Sequence, residues 1–230
     1  MKVEAVTHPA KFSSPILDFL RGMSDGLPGP ILDPFAGTGR IHEIGRDDTV
    51  GIEIEKEWSD LHPRTYLGDA TALPFEDDSF GSIVTSPTYG NRMADNYAGD
   101  GTRRHTYRIA LGRALSDGST ASLQWGDEYR RLHRRAWEEA ARVTRPGGLF
   151  VLNISDHVRK GERIPVSDFH VQALEAVGFR LLSSTPIETA RNRHGANGDL
   201  RVDHEWIHAL RYRPPLNGAS LDPYEERVTR

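Results

Sequence analysis

The chain has 230 residues, 37% of them hydrophobic, with 29 Lys plus Arg against 33 Asp plus Glu and no cysteine. That length suits one ordinary domain with a sizeable core, and the missing thiols exclude disulfides, thiolate zinc sites and cysteine nucleophiles. No run approaches the roughly 18 apolar residues of a membrane span, and Met1-Lys2-Val3-Glu4-Ala5 lacks the apolar stretch of a signal peptide, so a soluble cytoplasmic protein is expected.

In chain order, Ser13-Ser14-Pro15 starts a short helix, because serine caps and proline suits the first turn. Ile16, Leu17, Phe19 and Leu20 give it an apolar face. Residues 26–30, bounded by Gly26 and Pro30, break it before a first strand at Ile31-Leu32. Gly37 and Gly39 then turn the chain toward a helix. Residues 50–54 read as a second buried strand, 65–67 as a third ending at Gly68-Asp69, and 80–85 as a fourth. A helix is expected over 129–144, where Leu132, Ala136, Trp137, Ala140 and Val143 recur at helical spacing and Arg145-Pro146-Gly147-Gly148 provides the stop. The nearly all-apolar run 149–154 reads as a central parallel strand. Ser167 is expected to cap a helix ending at Gly178, with two last strands at 179–184 and 205–211. Residues 214–230 read as a tail.

Alternating strands and helices predict an open α/β sheet, mostly parallel, with a ligand beyond the carboxyl ends of the strands. Residues 1–213 form that domain in this reading, interrupted by an insertion at about 91–127, too long for an ordinary connection. Residues 91–145 hold 11 Arg and no Lys against 7 acids, a net of +4, while the remainder carries −8. Such asymmetry fits an insertion that faces phosphates; a solvated helix with ordinary ion pairs would also produce it.

The residues that carry chemistry fall at strand ends. The stretch Asp33-Pro34-Phe35-Ala36-Gly37-Thr38-Gly39 follows a strand and lets a ligand approach the backbone closely. It lacks the third glycine of a dinucleotide fingerprint, and a ligand without a pyrophosphate needs only this shorter loop. Glu53, ending the second strand, can accept from two ribose hydroxyls, and Asp69 from an adenine amine; simple capping of following helices is the plain alternative. About 50 residues past the glycine loop comes Thr85-Ser86-Pro87-Thr88-Tyr89-Gly90, a polar then aromatic turn at another strand end. The histidines show no metal spacing. Asp156-His157 reads as ordinary strand-end hydrogen bonding, with an acid-base pair as the alternative, and the polar loop 191–197 as a substrate contact or a surface hairpin.

These residues resemble the S-adenosylmethionine-dependent amino-methyltransferases that modify exocyclic nitrogens in DNA. Residues 33–39 resemble their first motif, Gly51-Ile52-Glu53 the second and Gly68-Asp69-Ala70 the third. Ser86-Pro87-Thr88-Tyr89 is similar to their catalytic tetrapeptide, and His8-Pro9-Ala10-Lys11-Phe12 to the segment over the methionine end of the cofactor. The likeness spans roughly residues 7 to 156, and its motif order matches a permuted subclass.

The resemblance implies a Rossmann-like methyltransferase fold with a seven-stranded sheet and helices on both faces. It implies S-adenosylmethionine as cofactor, bound by His8, Phe12, Asp33, Phe35, Gly37, Gly39, Glu53, Asp69 and Ala70. Catalysis would fall to Ser86 and the Pro87 carbonyl as acceptors for the amine hydrogens, with Tyr89 stacking on an extruded base. Ser86 points to cytosine N4 as the target; adenine N6 in DNA, guanine N2 in RNA, and a non-catalytic nucleic-acid-binding module remain alternatives. Thr88 departs from the family, which usually has a second proline there. In the insertion, Arg92, Arg103, Arg104, Arg108 and Arg113, interleaved with Tyr97, Tyr107 and Trp125, are expected to close over DNA, with Arg92, Arg103, Arg104 and Tyr107 touching it. Tyr107 and Trp125 also suit core anchors. The short chain leaves little room for a target-recognition domain, so dimerisation is one way to extend the footprint.

Overall fold

The apolar runs of the sequence become the middle of one sheet. In the computed structural model, which describes residues 8, 12–90, 106–189 and 202–214, β1 (Ile31–Asp33), β2 (Thr49–Glu53), β3 (Thr65–Leu67), β4 (Phe80–Thr85) and β5 (Thr144–Ile154) pair in parallel in the order β3-β2-β1-β4-β5. A separate hairpin follows, β6 (His157–Arg159) and β7 (Glu162–Ile164). β8 (Phe179–Glu188) and β9 (His204–Tyr212) then complete seven strands, β9 lying antiparallel between β5 and the edge strand β8. All sheet strands except β9 therefore run one way.

The helices are α1 (Ser14–Met23), α2 (Lys56–Ser59), α3 (Tyr107–Leu111), α4 (Asp127–Val143) and α5 (Val166–Ala176). Strand side chains alternate between faces, and the two faces build two cores. Leu32, Ile83 and Phe150 pack with Ala136, Trp137 and Ala140 of α4 and with Leu174 of α5. Their neighbours Ile31, Val84 and Val151 pack on the opposite side with Ile16, Leu17 and Leu20 of α1. Each such side chain contributes about 1.5–3 kcal/mol by leaving water, and strands covered on both faces read as unbroken apolar runs.

The structure corrects several local expectations. No helix follows Gly39: only a short 3-10 turn, Arg40–Glu43, fits before Gly45 takes a positive φ and β2 begins. Ser167 does not cap α5, which starts at Val166 after Pro165; the Ser167 amide instead donates to the Asp156 carboxylate at 2.8 Å. α4 ends at Val143, at the expected stop, but β5 begins earlier than expected, at Thr144, which already pairs with Phe80 so that 145–148 is absorbed as a register shift. β6 and β7 are too short and exposed to have a periodic signal.

Candidate active site

The loops after β1, β2, β3 and β4 all leave the sheet at its carboxyl edge, where a parallel sheet of this kind offers a crevice. There they enclose a cavity of about 540 Å3. His8, Phe12, Asp33, Phe35, Gly37, Glu53, Asp69, Ala70, Ser86, Pro87, Tyr89 and Tyr107 all line it. Two stretches read separately in the sequence, 33–37 and 86–89, thus face one space.

On the β1–β2 side, local backbone amides hold the carboxylates. Gly37 adopts φ +54, a region that favours glycine, and its N–H donates to Glu53 Oε2 at 2.9 Å. The other oxygen of Glu53 accepts from the Glu55 amide at 2.9 Å. Asp33 Oδ1 accepts from the Phe35 amide at 3.0 Å and the Thr85 hydroxyl at 2.7 Å. Burial pushes both acids up to about 7, against the pull of those hydrogen bonds. Asp69 Oδ1 accepts from the Thr71 amide at 2.7 Å. Gly39 also has a positive φ, but it does not border the cavity: a Cβ there would meet His62 at 2.8 Å and His42 at 3.0 Å, so it serves the packing beneath the loop.

Over Gly37 sits the His8 ring, in edge contact with Trp58 at 4.2 Å and near Tyr107 at 5.5 Å. Trp58 Nε1 and Ser13 Oγ are buried without a hydrogen-bond partner among the described residues, and both residues line the cavity. Buried polar atoms normally have partners, so these two are open to bond a ligand in the cavity.

The turn after β4 is fastened from far away. Trp137 Nε1 donates to His170 Nδ1 at 3.1 Å. An indole only donates, so Nδ1 of the neutral ring accepts and Nε2 carries the proton, which goes to the Tyr129 hydroxyl at 2.8 Å. Tyr129 in turn donates to the Thr88 carbonyl at 2.6 Å. Burial holds His170 well below the usual histidine range, consistent with the neutral ring. The Thr88 hydroxyl donates to Thr120 at 3.0 Å, and the Trp125 amide to the Gly90 carbonyl at 2.8 Å. Tyr89 donates to Glu205 Oε2 at 3.1 Å and meets Ser86 Oγ at 3.1 Å.

The described part of the insertion turns inward. Tyr107 is 5% exposed, packed with Trp58 and Ala121, so its ring is wall and is not available to fill a gap in DNA. Arg113 spends its guanidinium on Glu57, at 2.8 and 2.6 Å, and on Glu55 at 2.8 Å, holding Glu57 down to about 2. Trp125 is a core anchor against Tyr129 and Phe169. Arg92, Arg103, Arg104, Tyr97, the 191–197 loop and residues 215–230 lie outside the described residues. Asp156 is structural, bridging the α5 amide and Arg163. Sequence reading missed Glu205, Trp58, Ser13 and the Tyr129–His170–Trp137 series. Their roles depend on partners distant in the chain, and the one local hint was a carboxylate opening the apolar run 206–210.

No protein-family model and no curated protein sequence matches the chain. Solved structures do. A S-adenosylmethionine-dependent methyltransferase from Methanosarcina mazei is 14% identical with a TM-score of 0.54, covering 84% of this chain and 98% of its own. The [4+2]-cyclase SpnF is 16% identical, TM-score 0.51, over 86% and 80%. A structure described under the conversion of a disulfide bond into a thioacetal group during echinomycin biosynthesis is 12% identical, TM-score 0.51, over 85% and 82%. The chain therefore has the Rossmann-like methyltransferase fold, as expected, with its mostly parallel seven-stranded sheet and helices on both faces. A cyclase among these neighbours shows why activity must be argued from the site. Among the described residues no cluster suits a metal ion, and no helix is long and apolar enough to cross a membrane.

Proposed function

We propose that this protein is a S-adenosylmethionine-dependent methyltransferase acting on an exocyclic amine of a nucleobase, with cytosine N4 in DNA as the first candidate and RNA behind it. The observation that supports the reading is that Ser86, Pro87 and Tyr89 border the same cavity as Gly37 and Glu53.

The residues present suit the cofactor. Glu53 would accept from the ribose hydroxyls, Asp69 from the adenine amine, and the orphan donors Trp58 Nε1 and Ser13 Oγ would bond its polar end beside His8 and Phe12. When bound, it supplies a methyl group on a cationic sulfur that departs as a neutral thioether.

The chain's own residues then act on the amine. An aromatic amine is a poor nucleophile because its lone pair is spread into the ring. Acceptors aimed at its hydrogens stabilise the positive charge that grows as the nitrogen bonds carbon, and the surplus proton then leaves to water. Ser86 Oγ is one acceptor. The Pro87 carbonyl is the other, aimed by a fixed φ. The restraint lost with Thr88 is offset by its two hydrogen bonds, to Thr120 and Tyr129.

A second reading, transfer to a free small-molecule amine, is supported by the inward Tyr107 and the internally paired Arg113, which leave the described insertion little to offer phosphates. One experiment separates them. The protein is incubated with labelled S-adenosylmethionine and DNA, RNA or free nucleosides, and digested products are identified by mass spectrometry. N4-methylcytosine from DNA is expected. Label in a free amine alone selects the second reading, and no transfer to any amine refutes both.

A further inference from the structure

We infer that Glu205 is a positioning residue for the transfer proposed above, and that it selects an amine by setting which way the Ser86 hydroxyl points; the inference rests on that functional reading. Glu205 is the second residue of β9, and it borders the same cavity as Gly37. Its Oε2 accepts from the Tyr89 hydroxyl at 3.1 Å and from Asn153 Nδ2 of β5 at 3.0 Å. That single oxygen thereby ties the turn after β4 to the two strands beside it.

Hydroxyls can donate or accept, so by itself a serine in a cavity wall has no fixed polarity. Tyr89 has one hydroxyl proton, and it is donated to Glu205 Oε2. The Tyr89–Ser86 contact at 3.1 Å must then be filled by the Ser86 proton. Ser86 Oγ is left with its lone pairs for the cavity, and a lone pair is complementary to an N–H. Were the chain of donors reversed, Ser86 would present a proton, which suits a carbonyl and repels an amine hydrogen. A residue of similar size at 205 with no acceptor, such as leucine, frees the Tyr89 proton for Ser86 and removes this commitment.

The test uses the full chain and five forms: wild type, Glu205→Leu, Ser86→Ala, the Glu205→Leu/Ser86→Ala double variant and Tyr89→Phe. Steady-state amine methylation is measured on the substrate that labels best, alongside calorimetric binding of S-adenosylhomocysteine. Glu205→Leu is expected to lower kcat roughly tenfold to a hundredfold, with S-adenosylhomocysteine affinity within about twofold of wild type. The double variant should be no slower than Ser86→Ala alone, because the commitment of the Tyr89 proton is felt through that hydroxyl. Tyr89→Phe, which interrupts the same chain, should match Glu205→Leu. Wild-type kcat in Glu205→Leu, or losses that multiply in the double variant, overturn the inference while the functional reading stands. Loss of S-adenosylhomocysteine binding in Glu205→Leu assigns the residue to the fold and also overturns it. A wild type that methylates no amine refutes the functional reading, and this inference with it.

Discussion

The Gly37 loop is fastened by backbone amides close in sequence, whereas the turn after β4 is fastened by side chains arriving from 32 to 116 residues away. In the first region the anchors are the ligand-facing groups themselves: Asp33 and Glu53 both hold the loop and border the cavity. In the second, the support comes from elsewhere in the chain: Tyr129 lies behind the lining, and Thr120 and Glu205 enter the wall from other elements to hold Thr88 and Tyr89 beside Ser86 and Pro87. The first half is therefore hard to alter without losing binding. The second can lose rate and keep binding.

Ser86→Ala gives that contrast its sharpest form. Removing one preorganised partner of a developing charge typically costs 10²–10³ in rate, so kcat for amine methylation should fall by roughly that factor, while calorimetry should find S-adenosylhomocysteine affinity unchanged. A comparable loss of affinity would merge the two halves into one unit.

Glu53→Gln probes the first half through pH. A carboxyl whose native value is raised from 4.5 to about 7 binds its proton more tightly when folded. Its contribution to stability is full below about 4.5 and is lost as pH rises through 7, on the order of 3 kcal/mol in total. Glutamine does not titrate. The melting temperature of ligand-free wild type relative to Glu53→Gln should therefore fall steadily between pH 5 and pH 8. A pH-independent difference would mean that Glu53 is ionised throughout. Asp33, also raised to about 7 by burial, adds a parallel trend common to both proteins.

The same contrast explains what could be read from the chain. Asp33, Gly37, Glu53 and Asp69 were legible because a strand end, a glycine turn and the next strand end lie close together, and the short connections force them to one edge. Ser86 and Tyr89 were legible as a local tetrapeptide. What holds them was not: nothing near Tyr129 or His170 indicates that they reach Thr88, since helical spacing marks them only as an inward face. Glu205 was hidden for a related reason, lying on the antiparallel strand whose start, not its end, comes to the cavity edge. The missing helix after Gly39 is the reverse case, a local signal overruled by the few residues left before β2.

Tyr129→Phe tests those remote anchors. It leaves the Thr88 carbonyl and His170 Nε2–H without their partner in a buried place, which costs about 1–3 kcal/mol, measurable by urea unfolding. Methylation should slow because Thr88 adjoins Pro87, and S-adenosylhomocysteine binding should hold. Equal loss of binding would show that the two halves share one support.

The smallest effect belongs to Arg113→Ala, and it separates internal clasp from nucleic-acid contact. Arg113 and Glu57 are 38% and 40% exposed, and ion pairs at that exposure contribute about 0–1 kcal/mol. The buried partner Glu55 keeps two further donors, the Ser116 amide at 2.8 Å and its hydroxyl at 2.9 Å. Unfolding should therefore shift by no more than about 1 kcal/mol. The informative readout is the salt dependence of DNA affinity. Each lost phosphate contact lowers that slope by about 1, so a guanidinium already committed to Glu55 and Glu57 should leave it unchanged. A slope reduced by about 1 would mean that Arg113 lets go of both carboxylates to meet a phosphate.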